Sequence, residues 1–458
     1  MTDSPAKRTW TRRAFLGAAA VAVPVAFLLR KKILGRIARY TERPEFSATP
    51  PLVPHDPARD ARTLYVARGG GPTANVDSVL DKLGGLEKIV GPTDVVIVKV
   101  SAQWWNQGMT NVAAVKRLVE RVLATPGFKG EVIVFENTHF VDKGGGGLTR
   151  AFTHPSERNV DVPGWNKLGD LIPHFEKLGA PVSFVGLIDA GKSTLAGDHW
   201  HDPTHEHGVY GGDGRGPIEP GDARDGYHWD ETLVFKKKRS LVDYAETPLT
   251  WPRFTSPRTG VVVDLKEGLF RREGGRLVAI GDRKLTWISM VTANEHESTG
   301  MTCACKSAMG IVDMSAGRMG SHPRAARYSS VHYFGAPSAN WRMAGPLAHF
   351  ATHVRAPDLY LAVAEWVAIH PESEAWDDER ADIRMAASSA RHVGAVVAGV
   401  DPVAIDTFVA KNLLMPLGGA RKKMYDVDDP DSTLSRFLRY YREVRGQGTL
   451  DLGLIHAA

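Results

Sequence analysis

Three stretches decide the fold: Val95-Val96-Ile97-Val98, the run from Thr110 to Leu123, and Val132-Ile133-Val134-Phe135. The first and last are short, continuous and β-branched, the pattern of strands buried on both faces. The middle run puts Val112, Val115, Val119 and Val122 on one helical face and charges on the other. Strand, helix and strand within about forty residues form a βαβ unit. Such a unit implies parallel pairing and a right-handed crossover.

The pattern repeats outward from this unit. Leu64-Tyr65-Val66 reads as a strand, followed by Gly69-Gly70-Gly71-Pro72 and a helical pattern from Asn75 to Leu83. Further strands are expected at Val182–Val185, Gly260–Asp264, Trp287–Val291, Leu359–Val363 and Ala395–Ala398. A helix is expected from Pro402 to Leu414, with Asp401 as N-cap and proline at the first helical position. The expectation is an α/β fold: a mixed, largely parallel sheet with helices on both faces. Between Asp198 and Asp230 glycine, proline, histidine and aspartate replace any periodicity. A long irregular insertion at about 190–232 is therefore expected within a single large body, residues 62–458.

The chain has 458 residues, 43% hydrophobic and 24% charged, which excludes a disordered chain and a multi-span membrane protein. Its two cysteines, Cys303 and Cys305, lie in one tripeptide. That excludes a disulfide framework and a protein-ligated four-cysteine iron–sulfur cluster. The net charge of +5 divides unevenly: residues 1–50 carry +7 and the rest −2. The body lacks the basic balance expected of a nucleic-acid binder, so nucleic acid is set aside as a partner.

The excess positive charge belongs to the leader. Thr11-Arg12-Arg13-Ala14-Phe15-Leu16 opens an apolar run to Leu29, and Arg30-Lys31-Lys32 follow. Paired arginines before a moderately apolar stretch resemble a twin-arginine signal. The expected partner is the twin-arginine export machinery. The run of sixteen residues is short of the roughly 20 that span a bilayer. Residues 1–43 are thus either a cleaved signal or an N-terminal membrane attachment, and the proline-rich 44–61 a linker. The expected location is the periplasm or the periplasmic face of the inner membrane. The export route often carries proteins already loaded with a cofactor.

Four segments resemble a known family when taken together in order. They are Val95 to Lys99, Val132 to Glu136, Thr299-Gly300-Met301-Thr302-Cys303-Ala304-Cys305-Lys306-Ser307-Ala308-Met309-Gly310, and Ala398-Gly399-Val400-Asp401-Pro402-Val403-Ala404-Ile405-Asp406. The resemblance, from about Val95 to about Leu414, is to the bacterial and archaeal family called domain of unknown function number 362. It implies the α/β fold and a cleft at the sheet edge, but no assigned reaction. Some family members look fused to ferredoxin-type modules; this chain lacks those cysteine runs, so that role does not carry over. The family's Lys-x-His before the threonine motif stands here as Asn294-Glu295-His296, without the lysine.

Lys99 and Glu136 fall at the C-terminal ends of two expected strands, where open α/β sheets gather ligands. A lysine there binds an anion as a point charge or acts as a base when desolvated; it equally pairs with a neighbouring glutamate. With His296 and Lys306 these form the candidate catalytic set. Thr302 to Met309 could open a helix whose free N–H groups suit an anion. Thr302, Asp401 and Asp406 are candidate ligand-binding residues, Asp401 also having a sufficient role as helix cap. The ligand expected is an anionic small molecule.

Two further groups have metal-ligand chemistry. His199, His201, His205 and His207 lie with three acids in ten residues, a donor set suited to a transition metal. His228 and Asp230 could complete it; a solvated surface loop is the plain alternative. Cys303 and Cys305 offer thiolates, or are small buried hydrophobes. Three classes of function stand: an exported enzyme of unassigned reaction with an anionic ligand or a metal or redox cofactor at the sheet edge; a periplasmic metal-binding protein without catalysis; and an anchored assembly factor.

Overall fold

The computed structural model describes residues 63–138, 149–188, 209–210, 223–238, 244–296, 299–314, 331, 341–369 and 389–457. All belong to the unit Thr49–Ala458. The leader and His199 to His207 lie outside the described residues. Among the described residues no helix is long and apolar enough to cross a membrane.

The strands are β1 (Thr63–Arg68), β2 (Val95–Val100), β3 (Glu131–Thr138), β4 (Val182–Ile188), β5 (Val209–Tyr210), β6 (Gly226–Lys238), β7 (Tyr244–Thr255) and β8 (Val262–Asp264). They continue with β9 (Gly268–Glu273), β10 (Arg276–Ala279), β11 (Leu285–Thr292), β12 (Asn294–His296), β13 (Gly300–Thr302), β14 (Leu359–Ala368), β15 (Ala390–Gly399) and β16 (His456–Ala457). The helices are α1 (Gly71–Leu83), α2 (Val112–Leu123), α3 (Arg150–Thr153), α4 (Leu171–Lys177), α5 (Ala344–His353), α6 (Pro402–Val409) and α7 (Thr433–Arg445).

The main sheet has nine strands in the order β16-β1-β15-β14-β11-β2-β3-β4-β5. From β14 through β11, β2, β3 and β4 to β5 every pairing is parallel. β15 runs antiparallel to both β14 and β1, so the sheet is mixed and largely parallel. One face packs Val96, Val98, Val132 and Val134 against Val79 and Leu80 of α1, Val115 and Val119 of α2, and Phe175 of α4. The other packs Ile97, Phe135 and Trp287 beneath α5, α6, α7 and a second sheet, represented by Phe350, Ile405, Phe437 and Phe254. That second sheet is antiparallel, in the order β10-β9-β8-β7-β6.

Local chemistry adjusts several expected boundaries. α2 starts at Val112 because Asn111 is its cap, its side chain accepting from Ala114 N at 3.1 Å. Thr110 instead accepts from Ser101 N and donates to Met290 O, binding the β2 and β11 ends together. α6 stops at Val409 and widens into a π-helical turn over Ala410–Leu414. β6 begins at Gly226, so residues 226–232 of the stretch expected to be irregular are strand. The β6–β7 hairpin breaks register between Trp229 and Val234, which disrupts the alternation that would reveal it.

Candidate functional site at the C-terminal edge of the main sheet

The parallel strands deliver Lys99, Glu136 and the hairpin bearing His296 to one edge. Lys99 Nζ lies 3.3 Å from Glu136 Oε2, with both side chains about 95% buried or more. Glu136 Oε2 also accepts from Ala102 N at 3.1 Å, and Oε1 from its neighbour Asn137 N at 3.2 Å. The glutamate thus meets a cation and backbone donors, as a buried carboxylate requires. Asn137 donates Nδ2–H to Tyr227 Oη at 2.8 Å and to Val312 O at 2.6 Å.

A short 3₁₀ helix, Ala304–Gly310, closes over this pair. Seven residues is long for that geometry, which usually needs outside support beyond a turn or so. Asp406 supplies it: its two carboxylate oxygens accept from Ala304 N at 2.8 Å and Cys305 N at 3.0 Å. The free N–H groups anticipated for an anionic ligand at this helix start are therefore already occupied by the protein's own carboxylate. Burial pushes the Asp406 carboxyl up to about 6, against the pull of these donors. Asp401 caps α6 through Val403 N at 2.9 Å and takes Thr449 N at 2.8 Å. Burial raises its pKa as well.

A second buried polar pair joins the same short helix to β12. Lys306 Nζ lies 2.7 Å from His296 Nε2, and both residues are more than nine-tenths buried. An ammonium only donates, so Nε2 accepts and the imidazole hydrogen is on Nδ1. β12 and β13 form the ribbon that carries His296, which pairs with Gly300, while Thr302 pairs with Asn294. Gly300 has φ +80°, and a β-carbon there would lie 2.5 Å from Met424 O, so the ribbon fits only with glycine. Asn294 Oδ1 accepts from Ala368 N at 2.7 Å, tying the ribbon to the end of β14. Glu295 pairs with Arg421 at 3.8 Å. Lys306 and Gly310 are four residues apart, roughly 8 Å along the helix axis.

The structure thus groups Lys99, Glu136, Lys306 and His296 around one element. It gives Asp401 and Asp406 backbone-capping contacts, and leaves Thr302 partly exposed in the ribbon. Cys303 and Cys305 are buried free thiols, and burial, helped by nearby Asp406, raises both pKa values. They are small core residues rather than poised nucleophiles. His228 is buried with Nε2 2.8 Å from Arg224 O, and Asp230 accepts from Thr232. Among the described residues no group of three or more His, Cys, Asp or Glu is placed to hold a metal.

Sequence reading missed three contributors. Ser289 is the register partner of Lys99, and its buried hydroxyl has no hydrogen-bond partner among the described residues. Asn137 Oδ1 and Thr292 Oγ1 are likewise buried and unmet at the same edge. Only the strand positions of these residues, one step from Lys99 and Glu136 or at the end of β11, could have drawn notice.

No curated protein and no solved structure matches the chain. Residues 285–411, which run from β11 through the His296 ribbon, the Lys306 helix and Asp406, match the model of a family described as domain of unknown function (DUF362).

Proposed function

We propose that the protein is an exported enzyme that binds an anionic small molecule at the C-terminal edge of the main sheet. Lys306 supplies charge to the ligand, and His296 exchanges a proton with it. The Lys99–Glu136 pair forms the fixed floor beneath Gly310. The observation that carries this reading is the 2.7 Å contact between Lys306 Nζ and His296 Nε2 at a sheet edge that favours ligands. A lysine and an imidazole in contact can pass a proton between a ligand and the protein without moving the backbone. The unmet polar groups of Ser289, Thr292 and Asn137 at that edge support the reading, because such groups in native proteins usually face water or a ligand.

The test is calorimetric titration with inorganic phosphate and with citrate. Wild-type protein is expected to bind at least one of them, and Lys306→Ala and His296→Ala to lose that binding while keeping a wild-type melting profile. Unchanged affinity in both variants would reject the site. Export rests on Arg12 and Arg13: the R12K/R13K variant should remain in the cytoplasm, and undiminished export of it would reject the twin-arginine route.

A further inference from the structure

A separate group of residues surrounds Trp366, at the junction of β14 and β15. The pairing of these strands shifts register between Ala364 and Trp366, where Val393 and Gly394 of β15 together stand opposite the single residue Glu365 of β14. The Glu365 side chain is 6% exposed. Its Oε1 lies 2.9 Å from His392 Nε2, and its Oε2 is buried with no hydrogen-bond partner. A carboxylate oxygen only accepts, so Nε2 of His392 carries a hydrogen, and in the neutral imidazole Nδ1 presents a lone pair. The His392 side chain is 55% exposed while its Nε2 is anchored on Glu365.

The imidazole is held in place on several sides. The Trp366 indole lies 5.0 Å from it. Gly394 has φ +63°, and a β-carbon there would come within 3.1 Å of the His392 ring. Trp366 is itself clamped by Asn159, which accepts from Trp366 N at 3.2 Å and donates to Trp366 O at 3.0 Å. The Arg158 guanidinium stands 4.7 Å from the same indole. Arg158 donates to Glu157 O at 3.2 Å, while its Nε–H is buried without an acceptor. An oriented base, an aromatic face and a guanidinium with unmet donor capacity thus meet at one tryptophan.

We propose that this is a second ligand site, for a small aromatic acid that also carries an acidic O–H. Arg158 takes the carboxylate and Trp366 the ring. His392 Nδ1 accepts the O–H proton, and the ligand is left as its conjugate base. Nε2–H stays on Glu365, whose negative charge balances the imidazolium. Glu365 is the positioning residue, fixing the tautomer and orientation of His392. None of these residues belongs to the Lys306–His296 site, so either reading can fail without the other.

Diethyl pyrocarbonate, which acylates an available imidazole lone pair, reads the proposal when its adducts are mapped by peptide mass spectrometry. In wild-type protein 4-hydroxybenzoate should slow modification of His392 several-fold while leaving His154 unaffected. Arg158→Gln should abolish that protection. Glu365→Gln, checked for folding by circular dichroism, should slow His392 acylation several-fold without added ligand. A purely structural Glu365–His392 pair would show no ligand protection. Absence of protection in the wild type overturns the ligand site whether or not Glu365→Gln folds. An unchanged acylation rate in a folded Glu365→Gln protein overturns the positioning role.

Discussion

Gly310 lies directly against the Lys99–Glu136 ion pair: a β-carbon at residue 310 would collide with Glu136 Oε1 and sit 2.5 Å from Lys99 Cε. The last residue of the short helix is therefore glycine for steric reasons, and the pair is roofed by backbone rather than by a side chain. Gly310→Ala is expected to push the pair apart and destabilise the fold by about 1–3 kcal/mol, the usual cost of overpacking. Chemical denaturation measures it. A change under a few tenths of a kcal/mol would show that the helix end moves freely.

The pair itself gives an asymmetric prediction. Removing only Glu136, as Glu136→Gln, leaves the Lys99 ammonium buried without its anion and is expected to cost about 3–5 kcal/mol. Replacing both, as Lys99→Met with Glu136→Gln, should cost less than the single change. A double-mutant cycle in urea decides this; additive losses would mean that the two side chains act independently.

Asp406 should make stability fall as pH rises. Its carboxyl is raised from the ordinary 3.8 to about 6 in the fold. Below 3.8 both folded and unfolded chains are protonated there, and the group's contribution is fully present. Between 3.8 and 6 the unfolded chain has lost a proton that the folded chain keeps, so about 3 kcal/mol is lost by the top of that window. Asp406→Asn is expected to flatten this slope. It should also lower stability at every pH, because an amide offers one acceptor to the two N–H groups of Ala304 and Cys305. Urea midpoints across the window test it, and an unchanged slope would contradict it.

His349 opposes that trend over an overlapping range. It is buried against Phe235 and beside His353, and burial lowers its pKa from 6.5 to about 4. Above 6.5 both states are neutral. As pH falls toward 4 the unfolded chain gains a proton that the folded chain resists, and about 3 kcal/mol is lost. Burial lowers the His353 pKa too and adds in the same direction. His349→Phe should therefore gain stability relative to wild type as pH drops from 6.5 to 4. A constant difference across that range would contradict it. The Asp406 and His349 contributions therefore have slopes of opposite sign where their windows overlap.

The sequence by itself determined the parallel heart of the molecule. Val95 to Val98, Val112 to Val122 and Val132 to Phe135 bury both faces of two strands and one face of a helix. A short-range apolar pattern specifies that much because each residue's neighbours along the chain set its periodicity. The sequence also placed Lys99 and Glu136 at strand ends and assigned Asp401 its capping role. It did not show where β15 begins, because His392 and Gly394 interrupt the apolar run, nor the long β6–β7 hairpin, whose register breaks. The site was decided by tertiary structure alone. Asp406 reaches back about a hundred residues in the chain to cap the helix of Cys305, and Gly310 reaches the Lys99–Glu136 pair across a similar or greater span. His392 meets Glu365 only because antiparallel pairing brings them together. A hydrogen bond or an ion pair depends on distance in space, and no local periodicity carries that distance. Only the assembled sheet and the elements packed over its edge fix which of these polar residues touch.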